Sequence, residues 1–228
     1  MATREDPSPP GTGTGGGQSL DQLVAAARRL IRPGERHFLG ITGAPGAGKS
    51  TLAEALAAEL APDAALVGMD GFHLRNDELQ RLGRLHRKGA SDTFDVAGYV
   101  HLLHRLRDRT DEAVYAPVFD RSIEESIGSA VRVERDVPLI ITEGNYLLVD
   151  HPGWKPVADL LDEAWYVEPG DDERLRRLIA RHVRFGRPPE EAHQRSHGPD
   201  GDNARLVETS KRHATRVVHL PTVAVPGS

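Results

Sequence analysis

The chain of 228 residues contains no cysteine. That absence excludes a disulfide scaffold, a thiolate zinc site, an iron–sulfur cluster and a cysteine nucleophile together. No apolar run approaches the roughly 18 residues that a membrane-spanning helix needs. The first six residues, Met1 to Asp6, run directly into proline and glycine, so the apolar core of a secretory signal is missing and a cytoplasmic protein is expected. An excess of basic charge is missing too: 29 Lys and Arg against 34 Asp and Glu leave a formal net charge of −5, which offers no global field for nucleic acid. The basic segment Arg84 to Lys88 has no interleaved aromatics. His101 with His104 and His193 with His197 lack the glutamate of a helical zinc motif, and Trp154 and Trp165 read as packing residues.

What is present is an alternation of short apolar runs and amphipathic stretches. Between Pro7 and Gly17, eight of eleven residues are Pro or Gly, which reads as a flexible tail spanning residues 1–17, with a single domain over 18–228. Ser19 is placed to cap a helix carrying Leu20, Leu23, Val24, Ala27 and Leu30, stopped at Pro33-Gly34. Strands are expected at His37 to Thr42, Ala64 to Met69, Val114 to Val118, Val131 to Val133, Pro138 to Thr142, Ala164 to Val167 and near Val217 to Leu220. Helices are expected at Leu52 to Leu60, after a cap at Asp95, and from Asp171 to Phe185. Strands separated by helices pair in parallel through crossovers, so the expected fold is α/β, a three-layer sandwich with a mainly parallel central sheet and its ligand site at the carboxyl ends of the strands. There is no internal repeat.

The sharpest motif is Gly43-Ala44-Pro45-Gly46-Ala47-Gly48-Lys49-Ser50-Thr51, lying between the first expected strand and a helix. Glycines at this spacing let successive backbone N–H groups face one concavity, where they bind phosphate oxygens at the positive end of a helix. Lys49 then supplies a mobile charge to the outer phosphates, and the Ser50 hydroxyl can ligate Mg²⁺. A guanine-reading Asn/Thr-Lys-x-Asp segment is absent, which argues against a GTPase. Asp70 follows the second strand, where a carboxylate would open onto the same rim and could accept a proton from an attacking hydroxyl. Asp-Gly is also an ordinary turn pair.

Between Asp171 and Phe185 a stripe of Arg174, Arg177, Arg181 and Arg184 falls within about 80° of arc on one helix face. Leu175, Leu178, Ile179 and Val183 fall on another. Such a stripe is commonly just a solvated face.

In order, Gly43 to Thr51, Asp70-Gly71-Phe72-His73, Lys88-Gly89-Ala90 with Thr93-Phe94-Asp95, Pro117 to Arg121, and Ile141 to Leu148 resemble the uridine kinase, phosphoribulokinase and bacterial pantothenate kinase family over roughly residues 35–220. Within it the nucleoside/nucleotide kinase-like, or fructose-transport-system kinase-like, subgroup is the most similar. The resemblance implies a P-loop kinase using ATP and Mg²⁺ on a hydroxyl of a small polar metabolite, which is nucleoside-like, sugar-like or pantothenate-like. It implies Asp70 as the base and Glu143 with Ser50 as the magnesium-organising pair; Glu143 could also cap the next element. It implies His73, Arg121 and Tyr146 around the acceptor, and a lid over about residues 185–199 from which Arg181 or Arg184 meets the transferring phosphate. Asp202-Asn203 resembles a late segment of the family and equally suits a helix cap. Relatives are often dimers, so a homodimer is the assembly the resemblance allows, and neither a nucleic acid nor a membrane is an expected partner. The rival reading is a nucleotide-dependent regulatory module with no metabolite acceptor.

Overall fold

A computed structural model describes residues 17–151 and 153–220; the expected tail lies, all but Gly17, outside them. Ser19 caps α1 (Leu20–Arg28) through a reciprocal capping box with Gln22. The chain then alternates through β1 (His37–Thr42), α2 (Lys49–Glu59) and β2 (Ala64–Gly68) into a 3₁₀ turn at Met69–Phe72. After α3 (Asn76–Arg81), the Asp95 carboxylate accepts from Gly98 N at 2.9 Å and starts α4 (Val96–Asp108). β3 (Ala113–Asp120), β4 (Glu125–Glu134), β5 (Leu139–Glu143), α5 (Lys155–Asp159) and β6 (Glu163–Val167) follow. The chain continues with α6 (Asp171–Arg184), α7 (Pro189–His197), α8 (Pro199–Glu208) and β7 (Arg216–Val218). Among the described residues no helix is long and apolar enough to cross a membrane.

Five strands form one parallel sheet in the order β2-β5-β1-β6-β7. Both faces are covered, as the near-continuous apolar strands require. Leu39, Ile41, Leu139, Ile141 and Trp165 pack toward α1 and α2, while Phe38, Ile140 and Tyr166 pack with Tyr99, Leu103 and Trp154 on the opposite face. The three-layer α/β sandwich inferred from the sequence is the fold that forms.

Register near the carboxyl rim is pinned by a buried polar chain. The Thr142 hydroxyl donates to Val67 O at 2.6 Å and accepts from the Tyr99 hydroxyl at 2.5 Å, tying β5 to β2 one residue before Glu143. Every member of that chain has a partner, so it specifies alignment without leaving a buried polar group unpaired.

Two sequence expectations are corrected here. The strands at 114–118 and 131–133 do not join the parallel sheet: no helix separates them, and they pair with each other as an antiparallel hairpin of their own. Its ladder shifts register at Pro117, which has no N–H to give. The second strand also stops at Gly68, one residue earlier than expected, because Met69 opens the tight turn that carries Asp70.

Candidate active site

The loop from Gly43 to Thr51 leaves the central strand β1 and enters α2 through Gly48. Gly46 has φ +86°, and a Cβ there would lie 2.6 Å from Arg174 O, so no side chain fits. Arg174 reciprocates from α6: buried, it donates Nη1 to Pro45 O at 3.3 Å and Nε to Asp171 at 3.1 Å, clamping the loop against the helix. Lys49 is buried and donates to Ala44 O at 3.1 Å. Burial pushes its ammonium down to about 8, against the pull of Glu143 and Asp70.

Parallel pairing aligns Glu143 with Gly68 on one side and Ile41 on the other. The carboxylate at the end of β5 therefore sits between the strand that delivers the phosphate loop and the strand that delivers Asp70. Burial, reinforced by Asp70, pushes the Glu143 carboxyl up to about 7, against the pull of Lys49 and then Arg121. Asp70 behaves oppositely. Burial would raise it, but His73, Arg121, Lys49 and Arg181 together hold it below the ordinary carboxylate value. Its Oδ2 accepts from Arg121 Nη2 at 3.0 Å.

His73 makes a hydrogen bond between its Nδ1 and Asp70 O at 2.8 Å. Its ring lies between Phe94 and Phe119, with centroids 4.1 and 4.6 Å away. Burial lowers its pKa, against the pull of Asp70.

Lys49, Ser50, Asp70, Arg121, Glu143 and Arg181 converge, with His73, on one cavity of about 470 Å³. Its mouth is flanked by the segment after α6 and by α7, where a lid over 185–199 was expected.

Two candidates named from the sequence lie elsewhere. Tyr146 is fully buried in the core and its hydroxyl donates to Gly89 O at 2.6 Å; its neighbour Asn145 faces the cavity instead. Arg184 is exposed and outside the cavity wall, so of the two lid arginines only Arg181 reaches the carboxylates. The stripe is thus divided, with Arg174 on the loop, Arg177 on Glu173 at 2.6 Å, Arg181 in the cavity and Arg184 in solvent. Sequence reasoning assigned no role to Lys88, Arg187 or Arg195, although all three line the cavity. Lys88 stood inside a motif that marked its place in the chain and said nothing of its charge.

Gly71 holds the Asp70 turn against the hairpin, because a Cβ there would meet Pro117 O at 2.5 Å. Gly71→Ala is expected to displace Asp70 and lower turnover at least about tenfold while nucleotide affinity stays within a few-fold. Steady-state kinetics beside calorimetric titration check this, and undiminished turnover would show that the turn's position is not critical.

Residues 17–69 match the family model "Methylmalonyl Co-A mutase-associated GTPase MeaB", which covers α1, the phosphate loop and β2 and extends no further. A Schizosaccharomyces pombe protein named a putative uridine kinase is 32% identical over 201 residues, covering 83% of this chain and 86% of that one. Pantothenate kinase of Rhodococcus erythropolis is 31% identical over 232 residues, covering 87% and 72%. Among solved structures, a Silicibacter protein named a putative fructose transport system kinase superposes with a TM-score of 0.80 at 37% identity, covering 90% of this chain and all of that one.

Proposed function

The chain belongs to the P-loop kinase family that includes uridine kinase-like proteins and pantothenate kinases, and on that premise we propose that it transfers the γ-phosphate of ATP to a hydroxyl of a small polar metabolite. The observation that supports this best is the convergence of Asp70, Glu143, Lys49 and Arg181 on one cavity beside the phosphate loop. A loop that only switched between nucleotide states would have no use for a carboxylate whose neighbours keep it ionised and facing a cavity beside that loop.

In this reading the backbone of Gly43 to Thr51 cradles the phosphates and Lys49 follows the outer ones. Ser50 and Glu143 both line the cavity and present hard oxygen donors, a set that fits Mg²⁺. Two protein oxygens do not make a cage, which suits a cation that arrives with the nucleotide and keeps part of its water shell. Held there, Mg²⁺ would neutralise negative charge on the nucleotide phosphates.

Asp70 receives the acceptor's hydroxyl proton as that oxygen bonds to the phosphoryl group and ADP leaves. Its lowered basicity is sufficient, because in a loose transition state the proton departs late. Arg121 orients the Asp70 carboxylate through the 3.0 Å hydrogen bond, and Arg181 faces the charge that builds on the transferring group. Closure of the 185–199 segment would exclude water and so prevent idle hydrolysis.

The test is ADP formation with ATP and Mg²⁺, with and without a panel of nucleosides, sugars and hydroxy acids. Strong acceptor dependence is expected, with a product heavier by one phosphoryl group. ATP consumption indifferent to every acceptor would favour the regulatory reading instead.

A further inference from the structure

The end of the cavity away from the phosphate loop holds charge that the phosphoryl-transfer machinery leaves unused. Lys88 is half-buried, and its ammonium donates to two neutral acceptors, Asn76 Oδ1 at 2.7 Å and Glu124 O, while sitting 5.1 Å from the Phe119 ring centroid. Arg195, from α7, donates Nη2 to the backbone O of Lys88 at 2.7 Å, which brings a second cation to the same corner. Arg187 lines the cavity from the segment between α6 and α7.

Among the described residues, none of these three has a carboxylate within ion-pair distance. The acidic side chains on the same wall do not neutralise them. Asp200 is engaged with His182 at 2.7 Å and Asp70 with Arg121 at 3.0 Å, while Glu125, which accepts from Asn76 N at 3.2 Å, and Glu124 attract the Lys88 ammonium without reaching ion-pair distance. Carbonyl and amide oxygens hold an ammonium in place without cancelling its charge, so the corner carries a field that an anion would complete.

Two rings connect this corner to Asp70: Phe119, 5.1 Å from the Lys88 ammonium, packs at 4.6 Å on His73, whose Nδ1 bonds Asp70 O at 2.8 Å. We propose that this corner is an anion subsite, and that the phosphate acceptor is a small molecule bearing a hydroxyl at one end and a carboxylate or phosphate at the other. The hydroxyl faces Asp70, the stem lies along Phe119 and His73, and the anionic group is met by Lys88 and Arg195, with Arg187 added as the lid closes. The inference rests on the kinase reading above and narrows its acceptor to an acid, setting aside neutral nucleosides and sugars.

The test compares kcat/KM for small hydroxy acids, their primary amides, hydroxylated phosphate monoesters, and neutral polyols and nucleosides. The wild type, Lys88→Met, Arg195→Gln and Lys88→Arg are assayed with each. An acid is expected to exceed its own amide by at least about 10²-fold, and the carboxylate and phosphate arms identify which anion is taken. Lys88→Met and Arg195→Gln are expected to raise KM for the acid about 10-fold to 10²-fold with kcat within a few-fold, shrinking the acid-to-amide ratio, and Lys88→Arg to retain much of that ratio. Neutral acceptors used as well as acids, or variants that depress acid and amide alike, would overturn the subsite while leaving the kinase reading intact. If no acceptor of either charge supports ADP formation, the kinase reading fails and the subsite falls with it.

Discussion

Asp70→Asn is expected to bind ATP within a few-fold of the wild type and to turn over about 10³-fold more slowly. The substitution keeps the side chain's shape and its ability to accept a hydrogen bond from Arg121, so the 3₁₀ turn and the cavity survive. What it removes is the place to which the acceptor's proton goes. The carboxylate is also one of the anions opposing Lys49, Arg121 and Arg181, and its neutralisation leaves the cavity more positive, which favours the triphosphate. Loss of rate with retained or tightened ATP binding is therefore the signature. Single-turnover rates beside calorimetric ATP titrations measure both halves. Undiminished turnover would remove Asp70 from the role of base, and a matching collapse of ATP affinity would make it a structural support of the nucleotide site.

Arg181→Met is expected to lower kcat by about 10²-fold to 10³-fold, whereas Arg184→Met, one helical turn further on, is expected to stay within about twofold. The two residues share a stripe and a chemistry, yet Arg181 lines the cavity and Arg184 does not. Burial already makes the Arg181 guanidinium pay for its charge, since its pKa is lowered by desolvation and next by Arg121. A cation placed at that cost gains when negative charge develops on the transferring phosphoryl group, so its loss shows in kcat more than in the KM for ATP. Equal effects from both substitutions would mean that the stripe acts through its overall field and not through one positioned residue.

The parts of the molecule that were legible in the sequence are those whose signal is local. The phosphate loop, the strands of the parallel sheet and the caps at Ser19 and Asp95 depend on neighbours a few residues away, and they form within a residue or two of where the pattern places them. The hairpin β3–β4 was not legible, because an apolar run states that a strand will pair and not with which partner. Tyr146 misled for a related reason: a motif orders residues along the chain, whereas β5 ends at Glu143, and the turn after it sends Asn145 to the cavity and Tyr146 into the core. Arg181 and Arg184 are three residues apart, so their side chains diverge by about 60° of helix, enough to separate cavity from solvent. Lys88 and Arg195 meet only because separate elements bring them together, one in the loop before α4 and one in α7, joined by a single hydrogen bond across 107 residues.

β2, which leads into the turn bearing Asp70, and β5, which ends in Glu143, lie side by side in the sheet, yet residues 69–138 intervene between them in the chain. Most of that excursion forms α3, α4 and the hairpin, and it supplies His73, Lys88, Phe119 and Arg121 to the cavity. Its two ends are anchored by neighbouring β-ladder positions, so the parts beyond the Asp70 turn and its contacts at Pro117 and Arg121 can change while the spacing of Asp70 and Glu143 stays under the control of the sheet. Recognition and bond-making are in this sense separable: the far part of the excursion can be altered to suit a different metabolite while the sheet platform beneath Asp70 and Glu143 is kept.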